Sequence, residues 1–167
     1  MSSQLRVNEL QNLNGTSGMT IDTSGRISEP NKPSVTLMIS NTGYVNVTNN
    51  NAIPFNLVQY SQGGGDAAFD TSNYHFTCPL SGIYAWTFSA LVGSSETNLD
   101  VTLKNGSESV HRFFQSNNRG LAASGVIVAT AGDVLQYVNS VGATRGFYGS
   151  GGGQSDRYTF ASFVFLG

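Results

Sequence analysis

The sequence predicts an all-β chain, an antiparallel jelly-roll sandwich preceded by an extended N-terminal arm. Three observations carry this expectation. Short runs rich in Val, Ile, Leu, Phe and Tyr recur along the chain between Gly-, Asn- and Ser-rich turns. No stretch shows helical periodicity. Several runs alternate apolar and polar residues with the period of two that a strand imposes.

Residues 1–33 read as the arm. Leu5, Val7, Leu10, Leu13, Met19, Ile21 and Ile27 are separated by Asn14-Gly15, Ser17-Gly18 and Ser24-Gly25, which are turn signals. These are extended pieces with too few large side chains for a core, and a lone hairpin is marginal in water. No heptads are present, so the arm is no coiled-coil stalk. It needs a partner surface, either sister copies or another protein. Leu5, Val7, Leu10, Leu13 and Ile21 are the residues expected to grip it. A break follows at Glu29-Pro30-Asn31-Lys32-Pro33, where two prolines favour extended backbone and remove donors.

Residues 34–167 read as one domain. Candidate strands lie at 34–40, 53–60, 74–78, 82–92, 97–104, 108–115, 121–130, 133–140 and 157–166. In 83–88, Tyr84, Trp86 and Phe88 share a face that belongs to the core, opposite Ile83, Ala85 and Thr87. In 98–104, Leu99, Val101 and Leu103 alternate with Asn98, Asp100, Thr102 and Lys104, the pattern of a strand with one wet face. Asn105-Gly106 fits a tight turn into 108–115. The last run differs. Phe160, Val164 and Leu166 lie on one face, and Ala161, Phe163 and Phe165 on the other. A sandwich strand needs only one apolar face, and each buried Phe contributes roughly 1.5–3 kcal/mol. Cover on both sides is therefore expected, from a loop or a neighbouring subunit. With no helix to act as a lid, the subunit is the favoured cover. Tyr158, Phe160, Phe163 and Phe165 are the interface candidates.

Composition narrows the function. Asp, Glu, Lys and Arg make up only 11% of the 167 residues, against roughly 25% in an average soluble domain. Either the surface is neutral and amide-rich, or part of it is hidden against other copies. Eight scattered basic residues and a net charge of −2 do not supply the clustered cations that nucleic acid requires. No apolar run reaches the length of a membrane span, and the first residues lack a signal-peptide core, so synthesis without Sec export is expected.

The run from Phe69 through Phe76, Gly82, Tyr84 and Trp86 to Phe88 resembles the signature of the C1q domain: an aromatic residue, six residues, Phe, five residues, then Gly-x-Tyr-x-aromatic-x-aromatic. Trp86 stands where Phe is usual. Upstream the match departs: Gly64 falls where Asn or Asp is expected, with Asp66 nearby, and Val58 where Phe is expected. Ile53-Pro54-Phe55 resembles the family's second long strand, the stretch from Gly125 to Leu135 its strand, Gly-Asp turn and strand before the end, and Phe160-Ala161-Ser162-Phe163-Val164-Phe165 its closing strand, with Ser162 where Gly is typical. The resemblance covers about 34–166. It implies a ten-stranded C1q/TNF-like jelly roll, a homotrimer, and a closing strand near the threefold axis. The stretch from Val7 to Gly25 resembles the opening of structural proteins of tailed phages, marine cyanophages in particular.

Chemical sites are sparse. His75 and His111 have no Cys/His company of metal-site spacing. Cys78 has no basic neighbour in sequence to lower its pKa. Gly149 to Gly153 lacks the Lys and the helix of a phosphate loop. Asp66, Asp70, Asp100 and Asp133 are dispersed, with no sequence reason to pair for glycoside cleavage. Phe147 and Tyr148 either stack on a ligand or lock their loop, and the second is favoured. The expected protein is a non-enzymatic, cofactor-free homotrimer on the outer surface of a virion, made in the host cytoplasm. It is read as a fibre or tail-tip adhesin that touches a host glycan or protein. The alternative is a capsid decoration protein, with the arm spread over the head. Other virion proteins would hold the arm; nucleic acid and membrane insertion are not expected.

Overall fold

The computed structural model describes residues 9–11, 17–21, 23–29, 31–96, 98–149 and 158–167, and every regular element in them is a strand. In chain order these are β1 (Glu9–Gln11), β2 (Ser17–Ile21), β3 (Ile27–Ser28), β4 (Ser34–Met38), β5 (Tyr44–Val47), β6 (Leu57–Gln62), β7 (Phe69–Asp70) and β8 (His75–Thr77). Then come β9 (Gly82–Leu91), β10 (Leu99–Asn105), β11 (Glu108–Gln115), β12 (Gly120–Ala129), β13 (Val134–Asn139), β14 (Arg145–Tyr148) and β15 (Phe160–Phe165).

Two five-stranded antiparallel sheets form the sandwich, which gives the ten strands of the expected jelly roll. The back sheet runs β11-β10-β13-β8-β7 and the front sheet β12-β9-β15-β4-β6. A two-stranded β14-β5 ribbon and a three-stranded β1-β2-β3 meander complete the described chain. The short strands β5, β7 and β14 carry too little alternation to be read from sequence. Residues 53–56 were expected to be strand, but β6 begins only at Leu57; Ile53 and Phe55 enter the core from irregular backbone.

β9 shows how the pattern makes the structure. Its β-rich sequence GIYAWTFSAL alternates strictly, so Tyr84, Trp86, Phe88 and Ala90 all point inward. Between the sheets these rings meet others: Phe76 packs against Tyr84 at 5.9 Å, and Phe88 against Tyr137 at 4.9 Å. Phe69 and Phe76 are also buried. Gly82 occupies a place no other residue fits: its φ is +152°, and a Cβ would lie 2.5 Å from the Gly167 carbonyl oxygen and 2.7 Å from the Phe165 ring. Trp86 is wedged between His111 and Phe113, each 5.1 Å away, over Gly125, where a Cβ would meet its ring at 2.7 Å. The Trp86 Nε1–H has no acceptor among the described residues.

β10 corrects one expectation. Its second face is not wet: Asp100 and Thr102 are both buried. The Arg112 guanidinium lies across Asp100, with Nε donating to Oδ1 at 2.9 Å and Nη2 to Oδ2. The Thr102 hydroxyl pairs with Ser140 at 2.8 Å. A long Arg on the adjacent strand covers its polar neighbour, which alternation alone does not reveal. The turn after β10 is the two-residue loop Gly106-Ser107, because Asn105 itself pairs with Glu108.

Candidate functional site

The outer face of the front sheet is the most distinctive surface among the described residues. Registers place its side chains in four rows across the strands. Ala122, Ser89, Phe160, Met38 and Leu57 form the first, and Ser124, Thr87, Ser162, Thr36 and Tyr60 the second. Val126, Ala85, Val164, Ser34 and Gln62 form the third. Val128 and Ile83 form the fourth, extended by Leu166, whose N–H donates to the Ile83 carbonyl. No Asp, Glu, Lys, Arg or His occupies any of these positions. The outer face of the back sheet, by contrast, carries Asp100, Lys104 and Arg112.

This face is open in the single chain. Val126 and Val128 are 57% and 79% exposed, and Phe160, Val164, Leu166, Ile83 and Tyr60 are also exposed. Strands about 4.8 Å apart and residues rising about 3.4 Å give the face roughly 600 Å², near the ~800 Å² per partner of a specific interface. Isolated exposed apolar residues are ordinary; a contiguous uncharged sheet face of this size is not.

The closing strand β15 does have two apolar faces, and its own chain covers one of them. Phe163 is 1% exposed within its own chain, stacked on Phe76 at 5.0 Å and on Tyr137 at 5.5 Å. It belongs to the protomer core and is withdrawn as an interface candidate. Phe165 is half-buried, edge-on to Tyr84 at 5.1 Å, and serves the core as well. The face left uncovered is that of Phe160, Ser162 and Val164. The sandwich partner of β15, the back sheet, supplies Phe76 and Tyr137, and no property of the run itself tells which face meets it.

Beyond the first row, Tyr158 lies exposed at the end of the front sheet. Its ring meets Tyr148 at 4.9 Å, and Tyr148 meets Tyr44 at 4.6 Å. Arg119 Nη2 donates to the Tyr44 hydroxyl at 3.1 Å. Phe147, beside Tyr148, is fully buried and anchors β14 to the sandwich.

Several of the remaining polar groups have local partners. Asp133 accepts from Asn105 and from the Thr130 N–H, and Asp70 from Ser72 and Asn73. Those hydrogen bonds, the Asn73 side chain's first, hold the Asp70 carboxyl below its ordinary range. Burial, then Asp133, pushes the Cys78 thiol up to about 12, which leaves it protonated and inert. Among the described residues no three His, Cys, Asp or Glu side chains converge as metal ligands, and no helix is long and apolar enough to cross a membrane. Of the arm candidates, Ile21 is half-buried in β2 and Leu10 lies in β1; Leu5, Val7 and Leu13 fall outside the described residues.

Two antiparallel five-stranded sheets, an aromatic interior and one uncharged outer face define a C1q/TNF-like jelly-roll protein. The C1q domain pattern matches residues 37–162, and the chain belongs to the C1q domain family. Members of that family are generally non-enzymatic ligand-binding or structural proteins. Solved structures with the same fold include Eiger TNF from S. frugiperda, at TM-score 0.62 and 15% identity over 81% of this chain and 93% of that one. The globular domain of zebrafish complement 1qA is similar at TM-score 0.56 and 20% identity, over 81% and 96% of the two chains. The vertex protein P5 of PRD1 is similar at TM-score 0.52 and 18% identity, over 84% and 100%. No curated protein matches the chain in sequence.

Proposed function

We propose that the protein is a non-enzymatic homotrimer on the surface of a virion, with its jelly rolls packed through the uncharged front face and residues 1–33 attached to other virion proteins. The observation that carries this reading is the absence of charge from all four rows of an exposed five-stranded face. A face without charge is buried against a neighbour at no cost of desolvated ions, while its Phe, Val, Ile and Leu side chains gain from leaving water. Tyr158 and Phe160 stand at one end of that face and remain interface candidates.

The phage-like opening of the chain supports the virion setting, and the likeness to a vertex protein is compatible with it. A fibre or tail-tip adhesin that contacts a host glycan or protein is the favoured role. A capsid decoration protein is the second, and the vertex-protein likeness speaks for it. Sedimentation equilibrium tests the assembly: a mass of about 53 kDa, three times 17.7 kDa, is expected. A monomer at tens of micromolar would overturn it. Cryo-microscopy of labelled particles separates the roles, since density on the head excludes the adhesin and density at the tail tip excludes decoration.

A further inference from the structure

We infer that the hydroxyl row Ser124–Thr87–Ser162–Thr36–Tyr60 sets the register at which a neighbouring copy seats on the front face. This rests on the proposal that copies bury that face. The five strands deliver one hydroxyl each to a single level of the sheet. On β12, β9 and β15 with its extension the levels beyond it on one side are wholly apolar: Val126, Ala85 and Val164, then Val128, Ile83 and, just past β15, Leu166. On the other side lie Ala122, Ser89 and Phe160. Across these three strands the belt is bordered by side chains that, Ser89 apart, are apolar, while on β4 and β6 the third row carries Ser34 and Gln62.

Apolar packing tolerates sliding, because a displaced Val finds another hydrocarbon. A hydroxyl does not. The Thr87 and Ser162 hydroxyls lie 2.7 Å apart, one donating to the other, so one O–H donor of the pair is left over. The neighbour must meet the belt with polar atoms. A copy displaced by one row, about 6.8 Å, lays hydrocarbon over the belt and its own polar atoms over Val126 and Val164. Each orphaned hydroxyl weakens association roughly tenfold. A displaced seating also fails to close a ring, and leads to open assemblies. The belt therefore selects one closed form, as a buried polar residue does in a coiled coil.

The test uses the full chain with a spin label at Ser107→Cys, in the β10–β11 turn of the back sheet. The native Cys78 is buried and does not label. Wild type is expected to give one narrow inter-copy distance and a single species by native mass spectrometry. Thr87→Val with Ser162→Ala is expected to associate as tightly or more so, with a second distance population and species other than the trimer. Thr87→Ser with Ser162→Thr keeps both hydroxyls and is expected to restore the single form. If the Val/Ala pair does not fold, Ser124→Ala with Thr36→Val carries the same expectation. A monomeric wild type overturns both the interface and the belt. A trimeric wild type whose hydroxyl-free variants keep one narrow distance and one species overturns the belt alone.

Discussion

Phe160 and Phe163 sit three residues apart on β15 and face opposite ways, so truncating each separates folding from assembly. Phe163→Ala removes a ring stacked on Phe76 and Tyr137 and leaves a cavity between the sheets. Core Phe→Ala changes cost about 3–5 kcal/mol, a large part of the ~5–15 kcal/mol that holds a domain folded. With a urea slope of about 2 kcal/mol/M, the unfolding midpoint falls by roughly 2 M. Phe160 is 37% exposed in the single chain, so its truncation costs the protomer about 1–2 kcal/mol, less than the Phe163 cavity does. Burying that remaining third of the ring across an interface contributes roughly 0.5–1 kcal/mol, about a 2- to 5-fold change in the dissociation constant. Urea titrations at several protein concentrations, with sedimentation velocity on the same samples, read both effects, since assembly makes stability concentration-dependent. The reasoning is refuted if Phe163→Ala leaves the midpoint within about 0.3 M of wild type, or if Phe160→Ala leaves the dissociation constant unchanged.

Four further outcomes are expected. Val164→Lys puts a charge in the uncharged face and is expected to leave a folded monomer, whereas Lys104→Glu on the back sheet keeps the wild-type mass; equal masses for the two by light scattering would remove the front face as the interface. Gly125→Ala drives a methyl into the Trp86 ring and is expected to cost about 1–3 kcal/mol in urea unfolding; a neutral result would show that the indole has room to move. Arg112→Ala leaves the buried Asp100 carboxylate unpaired, and Arg112→Lys, lacking the planar fork, is expected to recover less than half of the lost stability. Alkaline pH is expected to destabilise the fold. Burial keeps the Cys78 thiol protonated to about 12 against an ordinary 9.0, and raises Tyr84 and Tyr137 too. The unfolded chain therefore releases protons first, and stability falls as pH rises from about 9. Cys78→Ala should flatten that slope, and an equal slope in the variant would assign the effect elsewhere.

Much of the sandwich was readable because its long strands alternate. β9, β11, β12 and β13 fall within one residue of their expected bounds at each end, and the inward Tyr84, Trp86 and Phe88 follow from period alone. β5, β7 and β14 were missed because two to four residues carry no period to detect, and their pairing is decided by distant partners such as Phe147, which bridges to Val92. Asp100 looked wet because its cover, Arg112, comes from the next strand. The proposed interface was half legible. Two apolar faces on β15 pointed to an uncovered surface, but which one the core would take depended on Phe76 and Tyr137, far away in sequence. The four uncharged rows were not legible at all, because they exist only once β12, β9, β15, β4 and β6 lie side by side.

One pairing has a practical corollary. Ser34 lies opposite Val164, and the Phe165 N–H donates to the Pro33 carbonyl at 2.9 Å. Entry to the sandwich and exit from it are thus side by side at one pole, while Tyr44, Tyr148, Tyr158 and Arg119 gather at the other. Cargo fused after Gly167 would emerge next to Pro33, where the chain enters the sandwich. A peptide meant for display belongs instead in the loops of the far pole, such as Ser140 to Thr144, where a guest sequence would stand clear of the carrier and leave the ten-strand scaffold uncut.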